Sequence, residues 1–421
     1  MSNGLCGVNK KNVTERVKPK LWIVTEIFYP DQTSTAYILS KIANKMTEKY
    51  EVHVITTDTL YQKNSKISEN YFKLEEAIEV VRIKSGSLNK NSLIQRFIRL
   101  FILSNLLYNE LKRRVSSNEK VFIVTNPAPL LLKCANLKKK KNILLNILIH
   151  DVFPENTIPA GIIRSRNSFL FKLLSCRFNK AYGMADKLIV LGRDMKEVVE
   201  QKVLKSKHRP AITIIENWGD VDNIIPFVNK PELLDNRHQN GFLTIQYAGN
   251  IGRVQGLDSF LELFSYSNNK QLVLDLWGDG ALTGSLKELV DTKGLNSRVN
   301  FYGNYSRDEQ NIVLNSMDIA LVTLSDGMFG LGVPSKTYNI LSAGKPILFI
   351  GDLNSEVALL IREESIGFCF SSDDKKGIID FLNGLTPSYF PQLAEMGNRA
   401  RIVAENKYSE NSILNKFLET L

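Results

Sequence analysis

Short apolar runs alternate with amphipathic segments along this chain, and the whole alternation occurs twice. In the first half, Leu21 to Thr25, Glu51 to Thr56, Val80 to Lys84, Val121 to Thr125, Asn142 to Ile149, Lys187 to Leu191 and Ile212 to Ile215 read as strands. Most are near-continuous apolar runs of the kind buried on both faces of a parallel sheet. Ala36 to Lys49 reads as a helix with Ile38, Ile42, Ala43 and Met46 on one face, and Asp194 to Lys202 as another. Residues 221–241 carry few periodic apolar positions and are the expected linker. The alternation then restarts with strands Leu243 to Tyr247, Gln271 to Trp277, Val299 to Tyr302 and Ile319 to Thr323, and helices Leu257 to Tyr266, Leu282 to Lys293 and Asp308 to Ser316. Strand–helix–strand order predicts parallel sheets with crossover helices. The expected fold class is therefore α/β, with two Rossmann-like doubly wound domains facing a central cleft.

The most informative stretch is Leu331 to Ile350, which reads as loop, helix, glycine stop and strand. Pro334 and Ser335 suit a helix start, with Ser335 as a cap. Tyr338, Leu341 and Ser342 share a face, Gly344 fits the position after a helix end, and Ile347 to Ile350 is a buried strand. A helix start of this kind can receive an anion, with Lys336 and the N–H groups around Ser335 as donors. The plainer reading is one more crossover with a solvated lysine.

Composition changes the picture in two places. The formal charge of +10 favours an anionic partner: a membrane surface, a nucleic acid or a phosphorylated substrate. The basic residues concentrate beside apolar runs without an interleaved aromatic platform, so no nucleic acid is expected. Asn91 to Arg114 is apolar around more than one stripe and punctuated by Arg96, Arg99, Lys112, Arg113 and Arg114. Ile162 to Lys180 is a second basic, apolar stretch, and Lys138 to Lys141 adds four cations. Either these are core helices or they rest on a membrane with arginines toward lipid phosphates. Cys6, Cys134, Cys176 and Cys369 stand far apart, so neither a disulfide framework nor a zinc site is expected. Residues 1–20 read as a disordered arm without a secretory leader, and no run of about 18 apolar residues predicts a membrane span.

Candidate chemistry gathers at strand ends, where open α/β sheets place ligand groups. His150, Asp151 and Glu155 follow one strand within six positions. In the second half, Gly249, Asn250, Gly252, Arg253, Gln255 and Gly256 follow a strand and open a helix, spaced G-x-x-G-x-x-x-G. That spacing departs from the dinucleotide fingerprint, yet glycines before a helix still admit a phosphate, and Arg253 could neutralise it. Gly278 and Gly280 mark the next strand end, and Gly303, Asn304 and Tyr305 the one after. With Pro334, Ser335 and Lys336 they form a rim suited to a nucleoside diphosphate.

In this order, Gly249-Asn250-Ile251-Gly252, Gln255-Gly256, Trp277-Gly278-Asp279-Gly280, Val299-x-Phe301-x-Gly303, Pro334-Ser335-Lys336 and Gly344-Lys345-Pro346 resemble the C-terminal half of family 4 GT-B glycosyltransferases. The match is closest to a bacterial surface-polysaccharide branch that includes fucosamine transferases. Phe28-Tyr29-Pro30, His150-Asp151-Val152-Phe153-Pro154-Glu155, Ala185-Asp186 and Glu216-Asn217-Trp218-x-Asp220 extend it through the first half, over residues 20–410. The resemblance implies an acceptor-side domain over residues 21–220, a donor domain over 242–408, and a final helix, 409–421, returning to the first domain with Ser409 as a cap. It also implies hexosyl transfer from a UDP-sugar with retention at the anomeric carbon, and no cofactor or metal. The acceptor would be a saccharide, carried on a polyprenyl diphosphate at the cytoplasmic side of the inner membrane. His150, Asp151 and Glu155 would then line the acceptor side. The chain departs from the family at Asn250 and Gln255, where members commonly carry Arg and Lys, and at Leu331 and Asn339, where many carry glutamates. Arg253 and Lys336 are the expected sources of the missing charge, and Asn339 could bond a ribose hydroxyl. Asp31 to Thr35 replaces the family's first glycine loop. Two rival readings are a nucleotide-sugar epimerase and a catalytically silent scaffold of a polysaccharide assembly complex.

Overall fold

The computed structural model describes residues 18–31, 33–58, 72–85, 93–229 and 231–421. Residues 1–17, Gln32, Asn91 and the side chain of Arg96 lie outside them. Seven parallel strands build the first sheet: β1 (Lys20–Val24), β2 (Glu51–Thr57), β3 (Glu79–Ile83), β4 (Lys120–Val124), β5 (Leu144–Ile149), β6 (Lys187–Val190) and β7 (Ala211–Ile214). Their spatial order is β3-β2-β1-β4-β5-β6-β7. Six more build the second: β8 (Leu243–Ala248), β9 (Leu272–Trp277), β10 (Val299–Gly303), β11 (Ile319–Thr323), β12 (Ile347–Ile350) and β13 (Gly367–Phe370), ordered β10-β9-β8-β11-β12-β13. Every pairing is parallel, with registers such as Ile23 opposite Val54 and Ile245 opposite Leu274. The chain is thus an α/β protein of two Rossmann-like domains. Each sheet reverses its strand order once, between β1 and β4 and between β8 and β11, and such reversals open a crevice at the strands' carboxyl ends.

One apolar core is continuous across both halves, running from Leu21 and Ile23 through Tyr338 and Ile340 to Phe417. Polar bonds also cross between them. Arg193 holds Glu356 three ways, by its backbone N (2.7 Å), Nε (3.0 Å) and Nη2 (2.9 Å), and reaches Glu363 at 2.6 Å. The Val152 N–H donates to the Leu331 carbonyl oxygen (3.1 Å). Helix Glu410–Thr420 returns to the first sheet, where Glu410 receives Lys41 (2.8 Å) and Tyr37 (3.0 Å), and Phe417 meets Phe122 edge-on. Ser409 stands at its N-cap, but the hydroxyl makes no capping bond.

The structure revises the expected linker and bears on two basic stretches that the sequence left open between core and membrane surface. Residues 221–241 contain a helix, Glu232–Gln239, docked on the second domain by an ion pair and a histidine–carboxylate hydrogen bond rather than by an apolar stripe. Arg237 grips buried Asp275 (2.6 and 3.1 Å), and His238 meets Asp318 at 2.7 Å. The Leu93–Arg114 helix buries Leu103, Leu107 and Leu111, and its Arg99 pairs with buried Glu26 (2.8 Å) rather than facing outward. In the Lys138–Lys141 run, Lys138 pairs with Asp186 and Lys141 caps the carbonyls of Lys112 and Val115. No helix among the described residues is long and apolar enough to cross a membrane.

Candidate functional site

The loops after β8, β9 and β10 lean on one another because glycine removes the side chains that would part them. The Gly249 N–H donates to the Trp277 carbonyl oxygen (2.9 Å), and the Gly278 N–H to that of Gly303 (2.6 Å). Gly278 has φ +119°, and a Cβ there would lie 1.9 Å from the Gly249 oxygen. No other residue fits without prising the loops apart. Behind them, Trp277 stacks on Tyr302 (4.4 Å between centroids), with Tyr305 edge-on at 6.2 Å.

These loops form one wall of a cavity of about 280 Å³ between the two domains. Gly249, Asn250, Gln255 and Tyr305 line that wall, and Pro334, Ser335, Lys336 and Asn339 line another. The first domain closes it with Ser34 and Tyr37 from the start of helix Ser34–Met46, and with Trp218 and Asp220 beyond β7. Gly278, Asn304 and Asp279 line an adjoining, more open hollow that shares Gly249, Asn250, Tyr305 and Arg307 with the first.

Lys336 begins the Lys336–Ser342 helix. Its Nζ is buried, sits 3.2 Å from the centroid of the Tyr247 ring, and makes no hydrogen bond with any described residue. Burial without a counter-charge pushes the amine well below its ordinary range. This is not a solvated crossover lysine. Ser335 takes the N-cap position, but its hydroxyl does not cap the helix.

The other expected donor groups separate. Arg253 is exposed and faces a different cavity of about 630 Å³, with Pro159, Asp258 and Asp373, because the 250–256 loop turns it away. Arg307 lines the central cavity instead, stacked on Tyr37 at 3.9 Å. Gly252 is buried, since a Cβ there would press on Asn250 Nδ2 and Gln255 Oε1 at 2.6 and 2.7 Å. Gln255 Oε1 itself is buried without a described partner. Asn339 lines the central cavity, and its Oδ1 accepts the Asp220 N–H (3.0 Å) at the domain junction.

His150, Asp151 and Glu155 do not line the central cavity. The amides of His150 and Asp151 both donate to Thr125 Oγ1 (3.1 and 3.2 Å), which fixes the turn after β5. Gly332 lies against this turn, where a Cβ would be 3.4 Å from the His150 oxygen and 3.5 Å from Asp151 Oδ1. Burial pulls the His150 imidazole down to about 4 and pushes the Asp151 carboxyl up to about 6. His150 Nε2 has no described partner. Glu155 binds Lys202 Nζ through both oxygens (2.7 and 2.6 Å), so it is a buried ion-pair member and not a free acid.

Two parallel-sheet, Rossmann-like domains that meet over a glycine-rimmed cavity have the GT-B architecture. A family model described as "Glycosyl transferases group 1" matches residues 233–402. WbjE of Pseudomonas aeruginosa, named as a probable glycosyltransferase, is 31% identical over 406 residues, covering 94% of this chain and 96% of that protein. The chain belongs to the group 1 glycosyl transferases and is a GT-B glycosyltransferase. Two solved structures share the fold. WaaG, a glycosyltransferase involved in lipopolysaccharide biosynthesis, superposes with TM-score 0.66 at 13% identity, covering 95% of this chain and 99% of that one. HepE of Anabaena, in complex with UDP, gives 0.65 at 14% identity, covering 96% and 99%.

Proposed function

We propose that this chain is a retaining transferase of family 4, in the surface-polysaccharide branch, that moves a hexosyl group from a UDP-sugar to a saccharide on a polyprenyl diphosphate. The observation that carries this reading is the buried, unpartnered Lys336 amine in a cavity rimmed by glycine backbone. A buried cation without a counter-ion is costly, and a diphosphate supplies the counter-charge. UDP in the HepE complex and the involvement of WaaG in lipopolysaccharide biosynthesis support the donor and the pathway class.

The chemistry follows from the cavity. The bond from the anomeric carbon to the diphosphate breaks while the acceptor hydroxyl attacks from the same face, and the hydroxyl proton passes to the departing phosphate oxygen. Lys336 and Arg307 stabilise the charge that develops on the leaving oxygen without a metal. Tyr305 offers ring surface to the base, and Asn304 lies in the hollow beside it. His150 and Asp151, adjoining the Leu331–Gly332 backbone, orient the acceptor. At neutral pH His150 is uncharged and can accept a hydrogen bond from a sugar hydroxyl. The enzyme would sit at the cytoplasmic face of the inner membrane through Ile162, Phe169, Leu170 and Leu173, all exposed and interspersed with exposed Arg164, Arg166 and Lys172.

The test is calorimetry with UDP, GDP, ADP and TDP, followed by incubation with UDP-sugars and an anomeric assay of the product. UDP preferred over the others, with donor turnover and retained configuration, is the expected result. Absence of nucleotide binding overturns the reading in favour of a silent scaffold, which the buried Leu331 and the structurally engaged Asn339 would then explain.

A further inference from the structure

One side chain meets both the cation and the glycine loop of the cavity. Tyr247, next to last in β8, is 1% exposed. Its ring face lies under Lys336 Nζ at 3.2 Å from the centroid. Its hydroxyl donates to the Asn250 carbonyl oxygen at 2.7 Å. The loop that would face a phosphate and the amine that would neutralise it are therefore braced by the same residue.

The other charged or titratable groups around Lys336 come from three neighbouring elements, and none bonds Nζ. Beyond β10 stand Tyr305, whose phenol burial pushes up to about 12, and Arg307, stacked on Tyr37 of the first helix. Beyond β7 stands Asp220, whose carboxylate accepts from Asn223 Nδ2 at 2.9 and 3.2 Å. Burial keeps the Tyr247 phenol itself protonated. Among the described residues, the direct contact that favours the cationic form of Lys336 is thus the negative face of the Tyr247 ring.

We infer that Tyr247 is a positioning residue for the donor diphosphate. Its ring seats the Lys336 amine and its hydroxyl fixes the adjoining loop, so that the lysine becomes fully charged only as the anion binds. The inference rests on the donor reading given above. Physically, an anion beside Nζ replaces the lost hydration and raises the amine's affinity for a proton. The proton comes from solvent, so donor binding takes up a proton. Affinity then falls by up to about tenfold per pH unit across the window between the free and bound ranges.

The experiment is titration of UDP into the full chain between pH 7 and pH 10, in buffers of different ionisation enthalpy. Wild type is compared with Lys336→Met, Tyr247→Phe and Tyr247→Leu. Wild type should take up as much as one proton per UDP. Lys336→Met should show no uptake and bind roughly tenfold to hundredfold more weakly, as for a lost charge-assisted contact. Tyr247→Phe keeps the ring and should keep the uptake window, with affinity reduced only a few fold. Tyr247→Leu should bind roughly fivefold to thirtyfold more weakly, and its uptake should begin at lower pH, because the ring no longer favours the cation. A merely structural tyrosine would not move that window. UDP bound by wild type without proton uptake anywhere in the range overturns the inference and leaves the donor reading standing. So does a Tyr247→Leu variant with wild-type window and affinity. If Tyr247→Leu does not fold, the difference in uptake between wild type and Lys336→Met decides alone. UDP failing to bind wild type at every pH overturns the donor reading instead.

Discussion

At the scale of single residues, the turn after β5 holds two groups that burial drives in opposite directions. His150 is pulled down to about 4 from 6.5, and Asp151 is pushed up to about 6 from 3.8. Between pH 4 and pH 6 the unfolded histidine binds a proton that the folded one refuses, so its contribution to stability rises with pH. The aspartic acid does the reverse: folded, it keeps a proton that the unfolded form has lost, so its contribution falls with pH. The two slopes oppose each other in the wild type. Asp151→Asn should leave the histidine slope exposed, with urea stability rising from pH 4 to 6, and His150→Gln should leave a falling one. Parallel slopes in the two variants would show that burial does not govern this pair. For activity, Lys336→Ala should lower transfer by roughly tenfold or more through loss of charge stabilisation on the leaving group. Steady-state rates with a turned-over UDP-sugar check this. His150→Ala should have an effect of at least about tenfold through the acceptor.

At the scale of elements, glycine spacing determines how closely the β8, β9 and β10 loops pack. Gly278→Ala places a Cβ against the Gly249 carbonyl in a backbone region that alanine avoids. It should cost about 1–3 kcal/mol of stability and weaken UDP binding along with it. Gly284, in the Thr283–Thr292 helix, has nothing within 4 Å of its missing Cβ. Gly284→Ala should instead stabilise by about 0.5–1 kcal/mol with UDP affinity unchanged. Paired urea melts and calorimetry distinguish the two. The elements themselves were legible in sequence because parallel strands buried on both faces leave unbroken apolar runs, as in Ile347–Ile350 and residues 21–24. The Glu232–Gln239 helix was not legible, because buried acids on β9 and beside β11 hold it rather than an apolar stripe of its own. In the site, the glycine loops and Lys336 stood out by position after strands and before a helix. Arg307 did not, being one arginine in a polar loop whose partner, Tyr37, lies 270 positions earlier. Arg253 misled for a related reason: sequence places it in the glycine loop, and only the turn of the backbone shows which cavity it faces.

At the scale of the whole molecule, the apolar surface has a direction. Phe169 is 83% exposed and Leu170 55%, at the start of helix Phe169–Tyr182, while Phe171 and Phe178 of the same helix are buried. Core packing thus explains half of this helix and leaves the other half to water, beside exposed Arg166, Lys172 and Arg177. Exposed aromatic and aliphatic side chains among cations suit the headgroup layer of an anionic bilayer, where apolar insertion and charge attraction add. Arg99, spent on Glu26, contributes nothing there, so the Leu93–Arg114 helix should matter less than this one. Replacing both Phe169 and Leu170 by Asp should reduce co-sedimentation with phosphatidylglycerol vesicles on the order of tenfold or more, since two insertions are lost and two repulsive charges gained. UDP affinity should not change, because neither residue lines the central cavity. Vesicle binding should also weaken steeply as salt rises from about 0.05 to 0.5 M, as the Debye length shrinks. Equal sedimentation of the double variant and wild type would assign these side chains to some other surface role, and with it would fall the argument that the acceptor is met at a membrane.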